Sequence, residues 1–236
     1  EDFFSRLTVP NSKKLNTKET TFLQMWAASF GENEEITQLD HLLDRFWRYP
    51  EIVTEYRDLI RYLLDEISHF TKVWENEYDI PLELHSRYSR DEILASFSDI
   101  RKGKLYQPRE GVYFNKETKC NLLFVTLNKS EKDYSPSTMY RDYAISENLF
   151  HWQTQSNTKP STKKGQRHIQ HKEKAITPLL FIRNHKKDER RQTEPYFFVG
   201  PVELQKWEGS QPMDIVWKVE EPLPADIYKK SAINFN

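Results

Sequence analysis

The apolar residues of this chain change their period partway along it, and that change limits the fold more than any single motif does. In the first third they recur every three or four positions. Phe22, Met25, Trp26 and Phe30 form one set, Ile36, Leu39, Leu42, Leu43, Phe46 and Trp47 a second, and Ile52, Tyr56, Leu59, Leu63, Ile67 and Phe70 a third. Such spacing lines one face of a helix, and Glu, Arg and Asp fill the opposite face. Gly31 is placed to end the first helix, and Pro50 to open the third. Ser89 ahead of Asp91 and Glu92 reads as the N-cap of a short helix over 91–97. Beyond it the apolar residues fall into strand-like blocks. Residues 111–114 and 122–127 read as a hairpin around 116–119, and 149–155, 178–183, 196–199 and 213–219 as further strands. Gly200-Pro201, residues 209–212 and residues 221–224 punctuate them. Residues 156–176 are polar and lysine-rich and read as a mobile surface loop. The expected fold is α+β. A helical domain over 1–87 precedes a domain over 88–236 built on a curved, mostly antiparallel sheet or barrel.

Several function classes are disfavoured at once. Six glycines in 236 residues leave no phosphate loop or dinucleotide fingerprint, which need glycines at fixed places. A lone cysteine, Cys120, excludes a disulfide within the chain and fits a reducing cytoplasm. No apolar run is long enough for a membrane helix. The start, Glu1-Asp2-Phe3-Phe4, resembles neither a signal peptide nor a natural beginning, so the sequence is expected to be part of a longer protein. Of the seven histidines only His168 and His171 stand close, without a Cys pair or acids around them. They are expected to be solvated or to face phosphate rather than to hold zinc. No spacing of acids, Ser or His marks a catalytic set, so the chain is expected not to be an enzyme by itself and to need no cofactor or metal.

Charge is divided unevenly. Residues 1–100 carry 11 Lys/Arg against 20 Asp/Glu, whereas the remainder carries 24 against 16. Eleven of those basic residues lie between 156 and 191, including Lys163, Lys164, Arg167 and Arg183, with only Glu173, Asp188 and Glu189 to oppose them. A basic surface of this kind suits phosphate contacts, although charge runs also serve as solubilising faces. Just upstream lie Tyr134, Ser135, Tyr140, Asp142, Tyr143, Phe150 and Trp152. Aromatics on a polar segment beside acids suit stacking on a base.

These stretches also carry a resemblance. Tyr88-Ser89-Arg90-Asp91-Glu92-Ile93-Leu94, the run from Phe124 to Pro136, Tyr143-Ala144-Ile145-Ser146, Leu149-Phe150-His151-Trp152-Gln153, Gly200-Pro201 and Gly209-Ser210-Gln211-Pro212-Met213 are similar to the C-terminal target-recognition domain of SauUSI-type type IV restriction enzymes. Those proteins join a phospholipase-D-type nuclease to a superfamily II helicase. The resemblance covers about residues 85–230. It implies a module that recognises 5-methylcytosine or 5-hydroxymethylcytosine in duplex DNA and targets an ATP- and magnesium-dependent endonuclease, whose nuclease and helicase domains would be its partners within one protein. The alternatives from the residues alone are a duplex-binding module without base reading and a docking module of a helicase.

A second resemblance, to SRA domains of the PUA-like class, implies a base flipped between two aromatics with an acid on its edge. Tyr140 and Trp152 have the matching separation, and Asp142 lies one residue closer to Tyr140 than that pattern has it. Tyr134, Ser135 and Tyr143 would then line the pocket, while Lys163, Lys164, Arg167 and Arg183 would meet phosphates. Since neither a phosphate loop nor the nuclease's His-Lys-Asp motif occurs here, the isolated chain should neither hydrolyse ATP nor cut methylated DNA in magnesium. Release of phosphate or of cleaved duplex by a nuclease-free preparation would refute that expectation.

Overall fold

The computed structural model describes residues 15–30, 35–65, 71–128 and 142–232. The chain divides into two compact units, Glu1–Gln107 and Pro108–Asn236. The boundary expected at 87/88 falls inside the first of them.

The first unit opens with helices α1 (Thr17–Ser29), α2 (Leu39–Trp47) and α3 (Pro50–Asp65). Asn16 caps α1 in a capping box: its side chain accepts from the Glu19 backbone N–H, and the Glu19 carboxylate accepts from the Asn16 N–H. A 3₁₀ turn over Glu35–Thr37 precedes α2, so the second apolar stripe is not one continuous helix. Trp26, Phe46 and Tyr56 meet edge to face, and Trp26 Nε1 donates to the Tyr56 hydroxyl at 3.1 Å. Helix α3 departs from its expected face. Val53 is buried, whereas Ile52, Leu59 and Leu63 are each about half exposed. Ile67 and Phe70 lie outside the described residues, as does Gly31. Short strands β1 (Lys72–Val73) and β2 (Glu83–Leu84) pair with each other. Strand β3 (Arg87–Tyr88) leads into helix α4 (Arg90–Ser96), whose N-cap is Ser89 as the sequence anticipates, in a capping box with Glu92. A last pair, β4 (Ile100–Arg101) and β5 (Lys104–Leu105), follows.

The second unit contains β6 (Val112–Phe114), β7 (Cys120–Thr126), β8 (Tyr143–Ser146), β9 (Leu149–Gln153), helix α5 (Lys163–Ile169), β10 (Thr177–Arg183), β11 (Tyr196–Gly209), β12 (Met213–Val219) and helix α6 (Ala225–Ser231). The strands run in the order β6-β7-β10-β11-β12-β9-β8. All neighbours are antiparallel except β7 and β10, which run parallel. The sheet does not close, so of the sheet or barrel expected it is the open sheet that forms; β6 and β8 end the path. Alternation assigns the inner face. Leu123 and Val125 of β7, Leu180 and Ile182 of β10, Ile215 and Trp217 of β12, and Phe150 and Trp152 of β9 form one buried core, which Leu223 and Ile227 complete from the C-terminal segment. Strand β7 is buried along its whole length, the pattern of a strand covered on both faces.

The segment 156–176 is not simply a loop, for it contains α5. Thr162 caps this helix by accepting from the Gly165 N–H at 3.1 Å. Gly165 is buried, and a Cβ built there would overlap the Lys159 carbonyl. Only glycine lets the preceding turn lie against the first turn of α5. Gly165→Ala should therefore lower stability by about 1–3 kcal/mol, the usual cost of overpacking. A urea midpoint equal to that of the parent would show that the turn moves aside freely.

Candidate functional site

Three strands and one helix converge at one end of the inner face. The pocket there, a small cavity of about 30 Å³ that opens to solvent, is lined by Val112 and Phe114 of β6, Asn121 of β7, Trp152 of β9, Gln155 and Thr158 beyond it, and Lys164, Arg167 and His168 of α5. In the strand order, β7 and β9 are separated by β10, β11 and β12. That Asn121 and Trp152 nevertheless line one pocket measures how strongly the sheet curls. The walls are aromatic and the rim is cationic. The Arg167 guanidinium lies 4.2 Å from the centroid of the Phe114 ring. Partial burial holds its pKa below the ordinary arginine value, but guanidinium stays protonated in proteins. Lys164 Nζ is 2.6 Å from Glu110 Oε2, and both side chains are about half exposed. Such a pair contributes little to stability, so Lys164 can exchange it for another anion at small cost.

Behind the walls lies a buried polar group. Asn121 is 1 % exposed and His168 2 %. Asn121 Nδ2 lies 3.3 Å from His168 Nδ1. Burial, with Arg167 and His171 nearby, pushes the His168 imidazole down to about 3, so it is neutral across the physiological range. With Nδ1 accepting from the amide, its proton resides on Nε2. The ring packs edge-on against Trp152, at 5.0 Å between centroids. Asn121 Oδ1 is buried too, and no protein donor among the described residues reaches it. His171, expected on the surface with His168, is also buried and structural. Its Nε2 accepts from the Leu204 N–H at 3.1 Å, and its Nδ1 donates to the Ile176 carbonyl at 3.3 Å. No group of three metal-ligating side chains occurs among the described residues.

The residues singled out from the sequence separate here. Trp152, Lys164 and Arg167 come together in the pocket. Trp152 also belongs to the core, at 5 % exposure, so it is a wall of the fold as much as of the pocket. Lys163 is exposed on the first turn of α5. Asp142 is elsewhere: it is buried, and its Oδ1 accepts from the Gln153 backbone N–H at 3.0 Å, tying the start of β8 to the end of β9. Tyr143 stacks on His151 at 4.7 Å, on the face opposite Trp152, and His151 Nε2 meets Asp214 at 3.2 Å. Arg183 is engaged within the fold. Its Nε donates to Thr126 Oγ1, its Nη1 to the Glu194 carbonyl, and it lies over the Tyr196 ring. Tyr134, Ser135 and Tyr140 lie outside the described residues. Phe114, Asn121 and Thr158 were missed, and His168, expected to be solvated or to face phosphate, is buried instead. For Asn121 a signal existed, because it is in phase with Leu123 and Val125 and so faces inward with them. Cys120 is buried, and its thiol is pushed up to about 11, which fits a structural role.

Residues 82–231 match a family profile, the domain of unknown function DUF3427. The chain belongs to the DUF3427 family. No curated protein gave a match. The matched stretch contains every residue of the pocket. The DUF3427 segment thus carries the aromatic walls, the cationic rim and the Asn121–His168 pair together.

The two neutral histidines make a pH prediction. Burial is the largest influence on both, and it lowers both pKa values. A histidine depressed in the folded state leaves stability unchanged above its unfolded value near 6.5 and weakens the fold as pH falls below it. Between pH 6.5 and 4 stability should drop by about 1.4 kcal/mol per pH unit for His168 alone. Urea unfolding at pH 7 and pH 5 should show the fall, and His168→Gln should reduce the slope; an equal slope in parent and variant would mean that His168 titrates normally.

Proposed function

We propose that this chain is the DNA-reading part of a SauUSI-type, modification-dependent restriction enzyme, and that it binds duplex DNA containing 5-methylcytosine or 5-hydroxymethylcytosine. The observation that carries the proposal is the union, in one pocket, of aromatic walls from Phe114 and Trp152 with a cationic rim from Lys164 and Arg167. A base has a π-face to stack and is flanked by phosphates, so it asks for these two kinds of group side by side. The curved sheet supports the SRA-like part of this reading. ATP and magnesium would act in the nuclease and helicase domains of the parent protein, and the setting would be cytoplasmic defence against modified phage DNA. Among the described residues no helix is long and apolar enough to cross a membrane.

The energetics suit a reader that acts by base flipping. Extracting a base costs a few kcal/mol. Stacking returns about 1–3 kcal/mol per base, and phosphate contacts add affinity without sequence information. A single buried methyl contributes only about 0.8 kcal/mol, so discrimination of methylated from plain cytosine should be modest at the binding step. Lys163, Lys164 and Arg167 changed together to Ala should weaken every duplex alike and flatten the dependence of log affinity on log salt. Trp152→Phe should keep the fold and lose the preference for methylated duplex, whereas Trp152→Ala should also cost about 3–5 kcal/mol of stability through the cavity it leaves. Equal binding of methylated and plain duplex by the parent would instead indicate a general duplex-binding module. No binding of either would indicate a docking module.

A further inference from the structure

We propose that Asn121 identifies the base, its Oδ1 accepting a hydrogen bond from the exocyclic amino group of a flipped cytosine. The inference rests on the DNA-reading function above and gives Asn121 the role that sequence spacing assigned to Asp142. It starts from an imbalance. Buried polar groups are nearly always paired, and those that are not need an explanation. Asn121 is buried and lines the pocket, yet only one end of its amide is engaged: Nδ2 donates to His168 Nδ1, and Oδ1 has no donor from any described residue. Asp142, in contrast, already accepts from the Gln153 N–H and is not among the residues lining the pocket.

The amide stands with its NH₂ toward His168 Nδ1, 3.3 Å away, and its carbonyl oxygen has no donor among the described residues. Neutral His168 with its proton on Nε2 matches this orientation. His168 is itself held by packing against Trp152 and Trp217, so the acceptor is preorganised rather than free to rotate. A group placed against it must supply a hydrogen. The amino group of cytosine at C4 does so. Thymine carries the same 5-methyl group as 5-methylcytosine but a carbonyl at C4, which would set two acceptors face to face. Lone-pair opposition at a buried acceptor corresponds to roughly ten-fold or more in affinity. The methyl alone cannot make this distinction, because both bases have it. The wall residues therefore judge shape and modification, and Asn121 judges the base.

The test is a competition between 5-methylcytosine and thymine, each placed opposite an abasic site in otherwise identical duplexes so that no base pair has to be broken. The parent chain should prefer 5-methylcytosine by roughly ten-fold or more. Asn121→Leu, which is near in volume and removes a buried acceptor without a donor, should bind both alike. Equal binding of the two bases by the parent, or a preference for thymine, would overturn the assignment, as would a preference that survives in Asn121→Leu. The parent comparison decides the matter even where the variant does not fold. A separate arm compares methylated with plain cytosine paired to guanine. A preference there without any discrimination against thymine sinks only the role of Asn121; no preference in that arm sinks the DNA-reading function itself.

Discussion

The contact between α5 and the turn before it holds the candidate site together. A curled but open sheet leaves one end of its inner face uncovered, and α5 is the element that covers it. It can do so because Gly165 lets the backbone of Lys159 and Pro160 approach the helix closely. From that anchored helix, His168 points into the sheet toward Asn121 and the two tryptophans, while Lys164 and Arg167 stand at the rim. If the helix shifted, the aromatic walls would remain, but the cationic rim and the partner of Asn121 would leave with it.

Burial sets the chemistry of this end of the sheet. His168 and His171 are held below the ordinary imidazole value because a charged ring loses its hydration there, a loss that the Glu203 carboxylate near His171 only partly offsets. Neutrality is what allows each ring to accept a hydrogen bond, from the Asn121 amide in one case and the Leu204 backbone in the other. The same burial raises the Cys120 thiol and keeps it unreactive. Positive charge is thus confined to the rim, where Lys164 and Arg167 make contacts that can be exchanged: an exposed ion pair with Glu110 and a stacking contact on Phe114. Under the proposed function, a rim of exchangeable cations over a neutral interior would bind phosphate at the surface while a neutral base is judged within. The helical unit has a different character. It is acidic in sequence and half exposes Ile52, Leu59 and Leu63 on α3.

Much of the architecture could be read from periodicity. The capping box at Ser89, the hairpin of β6 and β7, and the inward Phe150 follow from local chemistry and alternation. Other features could not be. Helix α5 is short and basic and lacks an apolar stripe of its own, since it is held by one histidine, one glycine and, at its end, Ile169 rather than by a continuous hydrophobic face. Strand β11 continues through Gly200-Pro201, which reads as a stop in sequence but is accommodated where the pairing with β10 shifts register. The covered face of α3 runs through Val53, Tyr56 and Ile60 rather than through Ile52, Leu59 and Leu63.

By itself the sequence determined the change from helices to strands along the chain, the concentration of positive charge in the second half, and the presence of aromatics near it, because these depend only on residue type and spacing. It also supplied Trp152, Lys164 and Arg167 as candidates. Tertiary structure decided which of the candidates meet. Asp142, Tyr143 and Arg183 are turned to other partners by strand pairing, and Asn121 and His168, 47 positions apart, are brought within 3.3 Å. The physical reason is that the curl of a sheet depends on the pairing of distant strands. A pocket made across that curl has no counterpart in the order of residues along the chain.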